Sequence, residues 1–416
     1  MSRMNTAFAV VSALFLTVTP VACSGGDGST EDRSAELTSG SCVLPAGPLA
    51  VAISRRANSP GDLPPQVSQI VESFINDIPA GVTGPTLSLV NIDGRSEVHD
   101  AGQFFSDSRN SQGLEDDQRQ FLAGFLSTAA GMRAAESEVD VLAALEEAGS
   151  AAGRPGAGTV VLVDSGLATS GALDFSQPGV LDAPAEDLVP FLQTTGALPD
   201  LRGLTVVLVG IGEVARPQQK LSTRKKQLIE LWTKIAEASG AACVTSVDVA
   251  RPDDPVDGEV KPVKLVPVPP PPVFVPDEIT ILPDAGEVGF EPGKAVFRDR
   301  EAARRALEPI ASQLRADPSY RLRLTGTTAR WGTRDYQIDL ATQRAEAVKN
   351  ELLELVGLGA DPKRMETRGL GSYFAQYIPD NGPDGVLLPG PAQANRTVRI
   401  EPCNPTCPAD SEAPPA

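Results

Sequence analysis

The chain has 416 residues, room for two or three domains at roughly 150 residues each, and its 41% hydrophobic content suffices for ordinary buried cores. Lys and Arg number 36 against 54 Asp and Glu, a net charge of −18. That balance argues against a nucleic-acid partner, because phosphate contacts need a basic surface.

The chain begins with Arg3 and a dozen apolar residues at 7–18, too short to span about 30 Å of hydrocarbon but proportioned like a secretory signal. This run leads into Val21-Ala22-Cys23-Ser24, small residues before a cysteine. The segment resembles a bacterial lipoprotein signal, with Pro20 where that signal usually has leucine. The resemblance implies cleavage of residues 1–22, lipidation of Cys23, and a mature chain anchored to the extracytoplasmic side of a membrane in the cell envelope. Export permits disulfides. Setting Cys23 aside leaves Cys42, Cys243, Cys403 and Cys407, for which three pairings are possible. Cys42 precedes the first strand-like segment and Cys243 begins the last one of the first folded region, so a bond between them would staple its ends. Cys403 and Cys407 flank a turn-like Asn-Pro-Thr and are expected to pair locally.

Residues 23–43, rich in Gly, Ser and acid, read as a flexible tether. Residues 44–250 alternate strand and helix signals. An apolar run at 49–54 is followed by Val67, Ile70, Val71, Phe74, Ile75 and Ile78 at helical spacing behind Pro64-Pro65. A strand is predicted at 86–92, helices at 121–133 and 139–148, and continuous apolar runs at 159–163 and 204–211. A stripe of Leu228, Ile229, Trp232 and Ile235 and a strand at 242–249 close the region. Runs apolar on both faces suit parallel strands covered by helices, and the alternation predicts a doubly wound α/β domain. His99, the one histidine, reads as an exposed residue at a strand end.

The order of segments, with Asp164-Ser165-Gly166 after one central run and Val209-Gly210-Ile211-Gly212 after the next, resembles a von Willebrand factor A-like domain. The metal site of that family begins with Asp-x-Ser-x-Ser, because a hard divalent cation needs oxygen ligands. Here the equivalent stretch is Ser54-Arg55-Arg56-Ala57-Asn58-Ser59, with two guanidinium groups and no acid. The domain is expected to be free of metal and cofactor, serving as a scaffold or as a surface for another envelope protein. Asp164 is the acid there that could still act as a ligand.

Residues 251–277 (RPDDPVDGEVKPVKLVPVPPPPVFVPD) combine prolines that lack N–H donors and fix φ. They predict a semi-rigid extended spacer spanning on the order of 75 Å. Residues 278–403 form the second folded region, and residues 404–416 a disordered tail. In this region a strand is predicted at 287–290. Helices follow along Ala302, Ala303, Ala306, Leu307, Ile310 and Leu314, and along Leu340, Ala341, Ala345, Val348, Leu352 and Val356. Strands at 320–325, 364–371 and 397–401 complete a β-α-β-α-β-β order.

Three motifs carry a resemblance here: Leu340-Ala341-Thr342-Gln343-Arg344-Ala345-Glu346-Ala347-Val348, Arg368-Gly369-Leu370-Gly371, and Asn395-Arg396-Thr397-Val398-Arg399-Ile400, with Tyr336 four residues before Leu340. The region resembles the OmpA-like peptidoglycan-binding domain (OmpA C-terminal, MotB and Pal type), which implies an α+β fold. In that family an aspartate and the arginine of the Arg-Ala pair hold the zwitterionic end of diaminopimelate in the stem peptide. A carboxylate takes the ammonium and a guanidinium takes the carboxylate. Arg344 holds the arginine position, but the aspartate position is Ala329. The Asn expected after Tyr336 is Gln337, and the Ser after Leu340 is Ala341. Losing a charge-assisted contact costs roughly 1.5–3 kcal/mol. Asp335 and Asp339 lie close enough in sequence to substitute. Arg330-Trp331 offers a stacking platform for sugar.

No enzyme motif stands beside these. Gly289 to Lys294 is one residue short of a phosphate loop and lacks the following Ser or Thr, and no Gly-x-Ser-x-Gly or His-Glu-x-x-His occurs. The expected function is a non-catalytic envelope lipoprotein that links membrane to cell wall and binds peptidoglycan weakly or in modified form. Arg344, Arg396, Tyr336 and the position of Ala329 would form its ligand site. The alternative is an envelope adaptor whose OmpA-like domain has lost wall binding.

Overall fold

The computed structural model describes residues 42–221 and 223–403. The signal, Cys23, all but the end of the tether, and Cys407 with its expected bond to Cys403 lie outside the described residues.

The first sheet has six strands: β1 (Leu49–Ile53), β2 (Thr86–Asn91), β3 (Glu97–Gln103), β4 (Thr159–Val163), β5 (Thr205–Val209) and β6 (Cys243–Val247). Their order is β3-β2-β1-β4-β5-β6, and every pairing is parallel except the antiparallel β2–β3 pair at one edge. Each residue of β1, β4 and β5 is buried, as required where helices cover both faces of a sheet. Those helices are α1 (Pro65–Asn76), α2 (Ser111–Gly131), α3 (Val141–Ala151), α4 (Ala185–Thr194) and α5 (Lys225–Ala238). The domain is α/β, as predicted. His99 lies within the edge strand β3 and is exposed.

Three elements depart from expectation: strand β3, which is absent from the predicted elements, and two helices. Helix α2 starts ten residues before the predicted position, where the Asn110 side chain accepts from the Gly113 N–H at 2.8 Å. Its first half is polar and solvated, so apolar periodicity misses it. Helix α4 has no counterpart among the predicted elements: it is short, follows Pro184 without a side-chain cap, and contains Pro190. The expected Cys42–Cys243 disulfide is present, with Cα atoms 5.9 Å apart and a sequence separation of 201. Cys403 is also disulfide-bonded.

The strand order reverses between β1 and β4, and the carboxyl ends of these strands form the usual ligand crevice of open α/β sheets. Here that place is filled. Arg56, 1% exposed, sends Nη2 to Asp164 Oδ2 at 3.0 Å and to Ser165 Oγ at 3.1 Å. Asp164 also accepts from the Gly166 N–H at 2.6 Å. Its carboxylate is thus the counter-ion of a buried guanidinium.

The proline-rich segment is a correction. Residues 251–277 contain no helix and no strand, but they are not a free spacer. Val256 and Val266 are buried, and Val266 joins the α/β core. Gln218 grips Val266 in both directions at 2.9 Å. The Lys264 N–H donates to Ser137 O at 2.9 Å, and the Val256 N–H to Ser59 O at 3.1 Å. Prolines forbid regular ladders, but the residues between them keep donors and apolar side chains, and these dock the segment as a strap along the α/β domain.

The second sheet comprises β7 (Thr280–Pro283), β8 (Leu322–Thr327), β9 (Met365–Gly371) and β10 (Thr397–Pro402) in the order β7-β10-β8-β9. Strand β10 runs antiparallel to β7 and β8, and β8 is parallel to β9. Helices α6 (Arg300–Ala316), α7 (Arg334–Val356) and α8 (Pro389–Asn395) complete an α+β domain. The first strand lies at Thr280–Pro283, not at 287–290. Val288 and Phe290 still fill the core, but from a loop; their apolar character reports burial without specifying conformation. Helix α8 adds an element between the last two predicted strands.

Gly369 of the second motif and Gly326 of β8 have a packing cause. A Cβ at Gly369 would lie 2.4 Å from Ile338 O, and one at Gly326 would lie 1.9 Å from Ala341 O. Only bare backbone lets α7 sit this close to β8 and β9.

Candidate functional site: a cavity between the two domains

The end of β8 leads into Thr328-Ala329-Arg330, and this loop is fixed from below. Asp380 is fully buried, and its Oδ2 accepts from the Arg330 N–H at 2.9 Å and from Asn395 Nδ2 at 3.1 Å. Asn395 also clamps Ile378 in both directions, at 3.0 and 2.7 Å. The Asn of the Asn-Arg pair is therefore structural, and it sets the backbone from which Arg396 reaches out. Burial, and then the hydrogen bond to Asp380, push the pKa of the Tyr377 hydroxyl up to about 12.

Helix α7 is capped by Thr333, whose hydroxyl accepts from the Tyr336 N–H at 3.3 Å. Tyr336 and Arg344 are eight residues apart and share a face of this helix. The Tyr336 ring meets Trp331 edge-on at 5.6 Å, and its hydroxyl donates to Gly293 O at 3.4 Å. Arg344 is 5% exposed; its Nε donates to Lys294 O at 3.0 Å, its Nη1 lies 3.6 Å from Asp284 Oδ2, and its guanidinium carbon is 5.0 Å from the centre of the Phe290 ring. Burial lowers its pKa, and the Asp284 charge opposes that shift.

Arg344, Arg396, Tyr336 and Ala329 all line one cavity of about 660 Å³. Its other wall comes from the α/β domain: Glu186, Asp187, Pro190 and Phe191 of α4. Arg396 forms an ion pair with Asp187 across the gap. The seam beside it is built on bare backbone. Gly179 has φ +81°, and a Cβ there would lie 2.2 Å from Gly390 O in α8.

Asp335 and Asp339, the acids that sequence proximity offers as substitutes, are exposed on α7 and do not line the cavity. Asp284 and Asp187 do. Asp284 follows β7, and an acid among apolar residues is a weak signal at best. Nothing local marks Asp187, which is 209 residues from Arg396 in sequence. Trp331 stands at the rim, 65% exposed, whereas the Arg330 guanidinium lies over the Tyr377 ring at 5.0 Å, facing its own domain. Lys294 pairs with Glu291 at 2.7 Å.

No curated protein matches the chain. Among solved structures, the periplasmic domain of Helicobacter pylori MotB is similar at 18% identity, with 30% of this chain and 74% of that one covered and a TM-score of 0.24. The peptidoglycan-associated lipoprotein from Burkholderia pseudomallei is similar at 23% identity, covering 29% and 88%, with a TM-score of 0.23. The cell wall anchor of the T6SS from Pseudomonas aeruginosa is similar at 21% identity, covering 29% and 78%, with a TM-score of 0.22. The OmpA family matches residues 289–385, the stretch that carries α6, α7, β8, β9 and most of the cavity's inner wall. An OmpA family domain therefore occupies residues 289–385 of this chain.

Proposed function

We propose that the protein is a non-catalytic envelope lipoprotein, anchored through Cys23, that holds peptidoglycan stem peptides weakly in the cavity beside Arg344 and Arg396. The observation that carries this reading is the convergence of Arg344, Arg396 and Tyr336 on one cavity whose inner wall is mostly the OmpA family domain. Two guanidinium groups there can receive a carboxylate, and Tyr336 and Trp331 offer apolar faces to the chain that follows it. Weak binding is the expected strength, because Ala329 brings no charge and Arg344 is already engaged by Asp284 and Lys294 O.

In the same reading, residues 44–250 form a von Willebrand factor A-like domain that needs no metal, and residues 278–403 the wall-binding domain. The Arg56 guanidinium seated on Asp164 supports the first part. The prior engagement of Arg344 favours the second reading, an adaptor that no longer binds the wall and works through its α/β surface.

Pull-down of the full chain on isolated sacculi separates the two. Retention that is competed by diaminopimelate-containing stem peptide supports wall binding. Passage of the whole chain into the unbound fraction at all concentrations refutes it.

A further inference from the structure

The charges around the cavity are unevenly divided between the domains. The second folded region contributes three guanidinium groups, Arg298, Arg344 and Arg396, and one carboxylate, Asp284. Asp284 is committed: it faces Arg344 and accepts from the Phe290 N–H at 2.7 Å. By itself this wall can receive an anion and has nothing left for a cation. The remaining carboxylates stand on α4. Glu186 is held by Lys234 at 2.7 Å and is half exposed. Asp187 reaches into the cavity and meets Arg396, with each side chain 16% exposed.

We propose that Asp187 is the cation-binding group of this site, so that the α/β domain supplies half of a two-domain pocket for the free amino-acid end of a stem peptide. The proposal rests on the stem-peptide reading above and adds the residue that takes the ammonium. A ligand that carries an ammonium and a carboxylate on one carbon can lie along the Asp187–Arg396 pair with opposite charges facing. Each charge of this half-buried pair then keeps a partner, which avoids the cost of an unpaired one. The Gly179–Gly390 seam brings the turn before α4 against α8: neither backbone could approach the other so closely with a side chain between them. The acid missing at position 329 is thus replaced from 142 residues upstream, by a group on another domain.

Titration calorimetry on the full chain tests this with the tripeptide L-Ala-γ-D-Glu-meso-diaminopimelate and with the same peptide acetylated on its distal amine. Asp187→Asn is expected to weaken binding of the free-amine peptide by about tenfold or more, and Asp187→Glu to weaken it less. Acetylation should weaken binding to the unaltered protein to a similar degree, a comparison that needs no variant to fold. Adding Ala329→Asp on the Asp187→Asn background should recover affinity. If the unaltered protein binds the peptide but neither Asp187→Asn nor acetylation matters, the assignment of Asp187 is wrong and the stem-peptide reading stands. Tighter binding by Asp187→Asn would show that α4 obstructs the site, which also overturns the proposal. No binding by the unaltered protein removes both readings.

Discussion

The first domain and the seam between the two domains each hold an arginine against an aspartate, and they do so to different ends. At the switch point of the first sheet, the Arg56–Asp164 pair is closed to water, with side chains 1% and 0% exposed. In the cavity between the domains, the Arg396–Asp187 pair is 16% exposed on both sides and borders about 660 Å³ of space. The first pair plugs a crevice. The second lines one. The same two groups act as core or as site according to whether a third charged group can reach them, which is a matter of access rather than of residue type.

The largest expected effect lies at the closed pair. Arg56→Ala leaves Asp164 buried and unpaired, which should cost about 3–5 kcal/mol of stability; urea unfolding of the full chain measures it. Replacing both residues, as Arg56→Met with Asp164→Leu, should recover part of that loss, since the uncompensated charge is gone. A single Arg56→Ala as stable as the parent would mean that the crevice is open after all.

Next in size is the disulfide that closes the same domain. Cys42→Ser releases a bond spanning 201 residues, and the stability lost should be about 2–5 kcal/mol, visible as a lower denaturation midpoint and as a smaller difference between reduced and oxidised protein. The effect should appear in the α/β domain, whose ends the bond joins. An equal loss in the second domain would show that the two unfold as one unit.

The open pair should behave in the opposite way. Arg396→Ala is expected to change stability by no more than about 1 kcal/mol, because its partner keeps contact with water, while stem-peptide affinity falls about tenfold. Arg344→Ala is a poorer probe, since it also removes one of the two guanidinium groups that face Asp284. A large stability loss in Arg396→Ala without a change in affinity would make this pair structural, like Arg56–Asp164.

The smallest effect belongs to a third pair, on the surface. Hydrogen bonds from the Arg202 side chain and backbone hold the pKa of the Asp200 carboxyl down at about 2. A carboxyl whose folded pKa is depressed adds stability above its unfolded pKa, near 3.9, and loses it as pH falls toward the folded value. Unfolding measured between pH 5 and pH 2 should therefore show a slightly shallower acid decline in Asp200→Asn than in the parent. An identical decline would mean that solvent screens the pair completely.

Much of this arrangement is legible without coordinates. The apolar runs at 159–163 and 204–211 coincide with central strands, and the stripe from Leu340 to Val356 lies on a helix, because burial on one face or two writes a period directly into the chain. Arg344, Arg396, Tyr336 and Ala329 follow from motif positions and meet around one cavity, since a motif on a fixed fold carries its geometry along. The polar first half of α2 and the proline-bearing α4 are not legible, because neither has an apolar stripe long enough to reveal its period.

What the tertiary structure alone decided is which charges meet. Arg56 and Asp164 are 108 residues apart, and Arg396 and Asp187 are 209 apart. No local rule of spacing connects either pair. The same holds for the strap at 251–277, whose composition determined an extended backbone but not where it would lie. Periodicity is a property of neighbours in sequence, whereas ion pairs, straps and pockets depend on surfaces that come together only after each element has formed. The sequence determined the elements and the inner wall of the site. The placement of α4 over that wall, beside a turn and a helix that meet at two glycines too close to bear side chains, determined that the pocket has a second, acidic side.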